Sequence, residues 1–123
     1  MRNFIKELEI FKPIQKNEGV EITLPVILWM NNTCLCLQIS QTNDGFIISD
    51  SGDNFDDFNN IAEYYFNLFI QNNKNDHFDI KIKNSLIYKN YTENYSLNVA
   101  INEFIRIFID FDNFILNNNI RLN

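Results

Sequence analysis

Positive charge is scarce in this chain. Ten Lys and Arg stand against sixteen Asp and Glu in 123 residues, a formal net charge of −6, and the basic residues form no run. Sequence-independent binding to a phosphate backbone needs clustered Lys and Arg to displace counterions, so direct nucleic-acid binding is not expected. A protein partner with a basic surface is the natural complement, because opposite fields speed encounter. Glycine occurs only at positions 19, 45 and 52, which leaves no glycine-rich phosphate loop. His77 is the sole histidine, so no histidine-based metal site can form.

Cys34 and Cys36 are the only cysteines, with no third or fourth ligand nearby, and zinc is not expected. Spaced i, i+2 on a strand they share a face, and they read as reduced, buried thiols acting as small hydrophobes. No apolar run approaches about 18 residues, and the N-terminus MRNFIKELEIF is too charged for a signal peptide. The expectation is a cytoplasmic protein of a bacterial host cell that needs no cofactor, metal or membrane.

What is present is apolar and rich in amides. Apolar residues make up 46% of the sequence, enough for one core without disulfides or metal. Abundant Asn, Ile and Phe beside only two alanines fit an AT-rich coding source, as in low-GC bacteria and their phages. Asparagine fills loops and exposed faces without adding charge.

The apolar pattern reads as a single α+β domain over residues 1–123. Phe4, Ile5, Leu8 and Phe11 mark an N-terminal amphipathic helix of about three turns that Pro13 stops. Val20, Ile22 and Leu24 alternate with Glu21 and Thr23 as a strand, and Pro25 belongs at an edge or bulge. Leu35, Leu37 and Ile39 face inward on a second strand. Asn43-Asp44-Gly45 reads as a hairpin turn into a third strand at Phe46–Ser49, on the ground that these residues tolerate positive φ. Together they form a three-stranded antiparallel meander. One central helix or two follow over residues 54–72, with Asn59-Asn60 as the break. Phe78, Ile80 and Ile82 open a second β-hairpin that returns through Leu86–Tyr91. A long C-terminal helix, residues 95–117, carries apolar side chains so widely that it reads as covered on more than one side.

Candidate chemistry centres on acids. Asp44, Asp50, Asp53, Asp56 and Asp57 lie close together, but a calcium loop would need a sixth-position glycine and a terminal bidentate glutamate, both missing. Turn and helix-cap chemistry explains each locally. Asp50 with Asp79-Ile80-Lys81 matches a metal-dependent nuclease core, where carboxylates hold Mg²⁺ and the lysine polarises water or phosphate. A Cys–His nucleophilic pair from Cys34 or Cys36 with His77 has no orienting partner. Tyr88, Tyr91 and Tyr95 cluster around the second hairpin, and exposed tyrosines beside acids make interface anchors. The expected partner-binding set is Asp50, Asp53, Asp56, Asp57, Tyr88 and Tyr91.

The segments Gly19-Val20-Glu21-Ile22-Thr23-Leu24-Pro25 and Asn43-Asp44-Gly45-Phe46-Ile47-Ile48-Ser49-Asp50-Ser51-Gly52 resemble a small bacterial and phage family of unknown function. Its members read EI-x-T-P-F and then DG-Y-x-L-T-D-D-G before a short helix. Here Leu24 intrudes before Pro25, and Ser51 stands in place of the second aspartate. The resemblance covers about residues 18–58 and brings no established catalytic residues. By analogy it implies a mobile-element protein that inhibits bacterial immunity, as anti-CRISPR proteins do.

Three functions follow as expectations. The first is a non-enzymatic acidic binding protein that blocks a nucleic-acid-targeting defence complex, a CRISPR effector or its RNA complex, by occupying a basic surface. The second is the nuclease of Asp50, Asp79 and Lys81. The third is a regulatory protein-binding module outside defence.

Overall fold

The computed structural model describes residues 2–28, 34–50, 59–73, 79–83 and 86–121, the side chains of residues 59–62 excepted. Asp53, Asp56, Asp57 and His77 therefore lie outside the described residues. The domain is of the α+β type, with helices gathered against one antiparallel sheet.

A short helix α1 (Phe4–Glu7) opens the chain, capped by Asn3 Oδ1, which accepts the Lys6 N–H. It passes into a 3₁₀ turn, Glu9–Phe11, and stops at Lys12, whose φ of 52° is left-handed. The three-turn helix read from the sequence is thus two short pieces. Phe4 and Leu8 are buried, but Ile5 and Ile10 face solvent, so the apolar stripe is narrower than the composition suggested.

Among the described residues six strands form one sheet in the order β1-β2-β3-β4-β6-β5, every pair antiparallel. They are β1 (Ile14–Lys16), β2 (Gly19–Ile27), β3 (Cys34–Gln41), β4 (Gly45–Ser49), β5 (Lys81–Lys83) and β6 (Leu86–Thr92). The expected meander is β2-β3-β4, but it is the middle of a larger sheet. The second hairpin joins the same sheet by placing β6 against β4, and β1 adds an edge strand at residues to which no element was assigned from the sequence. Pro25 sits where the β2–β3 register shifts between Thr23 and Ile27, so it does mark a bulge.

The turn before β4 holds a correction. None of Asn43, Asp44 and Gly45 has positive φ. The turn closes instead through Thr42, whose N–H donates to Gly45 O while its Oγ1 accepts the Gly45 N–H. Gly45 is required by the neighbouring strand, since a Cβ there would lie 1.9 Å from Tyr91 O.

Parity along the strands sorts the two faces. Val20, Ile22, Leu24, Leu35, Leu37, Ile39, Phe46, Ile48, Ile87 and Tyr91 face the helices and are buried. Glu21, Thr23, Cys36, Gln38, Ile47, Ser49, Tyr88 and Asn90 occupy the other face, half-buried or exposed. The two cysteines belong to that open face: Cys34 is exposed and Cys36 half-buried, against the expectation of buried thiols.

Helix α3 (Leu97–Asn117) starts at Ser96, whose Oγ accepts the Val99 N–H, and buries Phe104, Phe108 and Phe111. Val99, Ile109 and Leu116 remain exposed, so it is amphipathic and not enclosed on several sides. Helix α2 (Asn59–Asn72) lies along its flank, with the Phe66 and Phe69 rings 5.1 and 5.5 Å from that of Phe111. Among the described residues no helix is long and apolar enough to cross a membrane.

Candidate functional site

Strand β4 turns Phe46 and Ile48 toward the helices, and two residues further the same parity carries Asp50 inward. Its side chain is fully buried. The Asp50 N–H donates to Ile87 O at 3.1 Å, and Asp50 Oδ1 accepts the Ile87 N–H at 3.2 Å. The carboxylate thus extends the β4–β6 ladder by one rung beyond the last paired residues.

On β6, Ile87, Lys89 and Tyr91 share the inner face and Tyr88 the outer. The Tyr91 ring stacks on Phe46 at 5.2 Å and meets Tyr95 at 4.9 Å. Its hydroxyl lies 3.5 Å from Ala100 O and 3.4 Å from Glu103 Oε2. Asp50 and Tyr91, expected as exposed contacts, are interior groups held by the sheet's own alternation. Tyr88 is half-buried on the open face, opposite Ser49 and Lys81.

The nuclease constellation is divided by the sheet. Lys81 pairs with Tyr88 and shares its outer face, while Ile82 pairs with Ile87 on the inner face, where Asp50 lies. Asp79 is exposed, two residues before the strand, at φ 62°. Among the described residues no three His, Cys, Asp or Glu side chains gather where a metal ion could sit. Cys36 Sγ has Thr23 Oγ1 at 3.5 Å, a neighbour that is no general base.

Sequence reading missed Glu103. From the inner flank of α3 it accepts hydrogen bonds from Tyr95 and Tyr91 and an ion pair from Lys89 at 3.4 Å. Its spacing offered the signal, since Ala100, Glu103 and Ile107 lie on one helical stripe. Burial first, then the Glu103 charge, holds the Tyr91 hydroxyl well above the ordinary tyrosine range. The Glu103 hydrogen bond raises that of Tyr95 as well. Neither phenol is therefore set up to lose a proton near neutrality, and the cluster is a tie between β6 and α3.

A second polar assembly occupies the end of the molecule where α1, the β1–β2 turn and the end of β3 meet. Arg2 Nη1 donates to Glu93 O and Tyr95 O, its Nε and Nη2 donate to Glu7, and its guanidinium carbon lies 5.0 Å from the Phe46 ring centre. The Glu7 hydrogen bond raises its pKa further. Beside it runs a groove of about 510 Å³, lined by Arg2, Gln15, Glu18, Gly19 and Gln41 among others.

Gln41 is the most constrained polar group there. Its Nε2 donates to Thr42 O, Gly45 O and Glu93 Oε2 at 3.2, 2.7 and 2.7 Å. Three acceptors fix the amide's orientation, because a flip would oppose oxygen to oxygen. Gln41 Oε1 is left buried with no hydrogen-bond partner. An orphan of that kind costs about 1–3 kcal/mol.

No family model, curated protein or solved structure matches this chain.

Proposed function

We propose that the chain is a non-enzymatic binding protein of a phage or other mobile element, which inhibits a bacterial nucleic-acid-targeting defence complex as anti-CRISPR proteins do. It would act by occupying a basic RNA- or DNA-binding surface on a protein partner, a CRISPR effector or its RNA complex. The observation that carries this reading is the direction of the charge imbalance. Arg2, Lys16, Lys89 and Arg106 already face Glu7, Glu21, Glu103 and Asp110 within the molecule. With a formal charge of −6, the uncommitted excess is acidic. Such a field steers the chain toward a basic channel and away from nucleic acid itself.

The separation of Asp50 from Lys81 by the sheet supports a binding role over hydrolysis, and so does the resemblance of residues 18–58 to a mobile-element family. The contacts assigned to this role are Asp53, Asp56 and Asp57 with Tyr88, leaving Asp50 and Tyr91 to hold the frame.

The test uses purified CRISPR effectors loaded with guide RNA. A stoichiometric complex should form at moderate salt, survive nuclease treatment and weaken as salt rises, with target cleavage falling in parallel. Absence of any complex across the effector panel would remove the proposal. So would turnover of DNA or RNA by the chain with Mg²⁺ or Mn²⁺.

A further inference from the structure

We infer that the open face of the sheet packs against the same face of a second copy of this chain, about a two-fold axis that runs along β4. The order of side chains across that face carries the inference. The strand registers align Glu21, Gln38, Ser49, Tyr88 and Lys81 in one outward row over β2, β3, β4, β6 and β5. Ser49 is the middle of the row. Neighbouring strands lie about 4.8 Å apart, so Glu21 and Lys81 each stand about 10 Å from it, on opposite sides. Rotation about β4 exchanges the two halves. It sets Glu21 of each copy over Lys81 of the other, Gln38 over Tyr88, and Ser49 over Ser49.

The rows on either side obey the same exchange. Ser40 and Asn90 flank Ile47, so hydroxyl meets amide and Ile47 meets its own counterpart. Two residues along the strands in the other direction, Cys36 and Leu86 exchange, and a small side chain meets a large one. An axis between β3 and β4 would lose the match, laying Lys81 over Ile14 and Glu21 over Tyr88. An axis across the strands would set Lys81 over Lys81 and Glu21 over Glu21.

Charge names the occupant. Glu21 is the only acid among the outward strand positions, so two chains of formal charge −6 repel least here. Lys81 is exposed with no acid partner among the described residues, and Glu21 has only Lys16, at 4.0 Å. A partner surface of one sign cannot answer both Glu21 and Lys81, whereas the same face rotated answers both. Five overlapping strands about 20 Å long cover roughly 500 Å² of each copy, about 1,000 Å² in all, the lower bound for a specific interface. The dimer is therefore weak, with a Kd above about 1 μM, and the dilute chain is a monomer with this face open. The inference goes beyond the binding-protein reading and does not rest on it; where both hold, they compete for Tyr88.

Sedimentation equilibrium of the intact chain from about 1 μM to about 1 mM should show a reversible monomer–dimer equilibrium. Glu21→Lys and Lys81→Glu should each weaken it about tenfold or more, since each creates two like-charge contacts. Mixed in equal amounts, the two variants should associate as the native pair does, because every lysine again faces an acid. That rescue separates the interface from any effect on folding.

The inference is overturned by a chain that stays monomeric throughout, by a dimer indifferent to Lys81→Glu, or by variants that do not associate when mixed. The two proposals fail separately. An effector complex formed by a chain that never dimerises ends this one alone. Dimerisation by a chain that captures no effector ends the defence reading alone.

Discussion

On the covered face of the sheet, Asp50, Lys89 and Tyr91 each bond to a neighbour inside the molecule, whereas Gln38, Ser49 and Tyr88 stand side by side on the open face. The residue types are similar on both sides, and their duties are not. A polar group turned toward the helices is tolerated only with a partner in place, because burying it alone costs more than the fold can spare. Position in the strand alternation, more than chemical type, therefore decides which acids and tyrosines can reach another molecule.

The sharpest test of that contrast removes one ring from each side of the sheet, one from the helix packed on its covered face and one from its open face. Phe108→Ala should cost about 3–5 kcal/mol, since a fully buried ring leaves a cavity. Tyr88→Ala should cost only about 1 kcal/mol, the worth of a cross-strand contact. Denaturant titration of both variants reads the difference directly, and equal losses would mean that the open face is covered after all.

A smaller effect is expected at Asp50. Asp50→Ala leaves the buried Ile87 N–H without its acceptor, a loss of about 2 kcal/mol, while Asp50→Asn keeps an oxygen there and should lose less. A neutral Asp50→Ala would return this residue to the pool of surface contacts.

The smallest effect is at Tyr91 and depends on pH. Folding raises the pKa of Tyr91 and Tyr95, so the folded state disfavours the phenolates that the unfolded chain forms near pH 10. Their contribution is complete below about pH 10 and declines as pH climbs toward the folded-state values. Tyr91→Phe should cost about 1 kcal/mol at neutral pH and flatten the alkaline fall in melting temperature. Parallel alkaline limbs for both proteins would contradict the tie through Glu103.

Much of the frame was legible from alternation and helical spacing. Strands β2 and β3 and helix α3 follow from their apolar periods, α3 within two residues at its start, while β4 and β6 were placed as the returning strands of hairpins. The N-terminal helix was over-read because Ile5 and Phe11 extended its apolar stripe, with no signal for the left-handed turn at Lys12. Strand β1 has three residues, too few for any period to show. The β4–β6 pairing joins segments some forty residues apart, and nothing local announces it.

At the candidate sites the parity of Phe46, Ile48 and Asp50 already placed the aspartate inside, but its charge invited an exposed assignment. The cysteines failed in the opposite sense: average behaviour of thiols outweighed the face shared with Thr23 and Gln38. Gln41 and Arg2 had no sequence signal at all. Their importance comes from three distant segments converging on one end of the molecule.

The notch at Gly45 has a consequence for synthesis. During translation β2, β3 and β4 emerge together, while the strand that docks against Gly45–Ser49 is encoded well downstream. Until Leu86–Thr92 leaves the ribosome, the nascent meander carries a bare apolar rim at Phe46-Ile47-Ile48, the feature most prone to sticking to another chain. Prematurely terminated products would be the aggregating species, and full-length chains would escape that fate only once the last hairpin slots home.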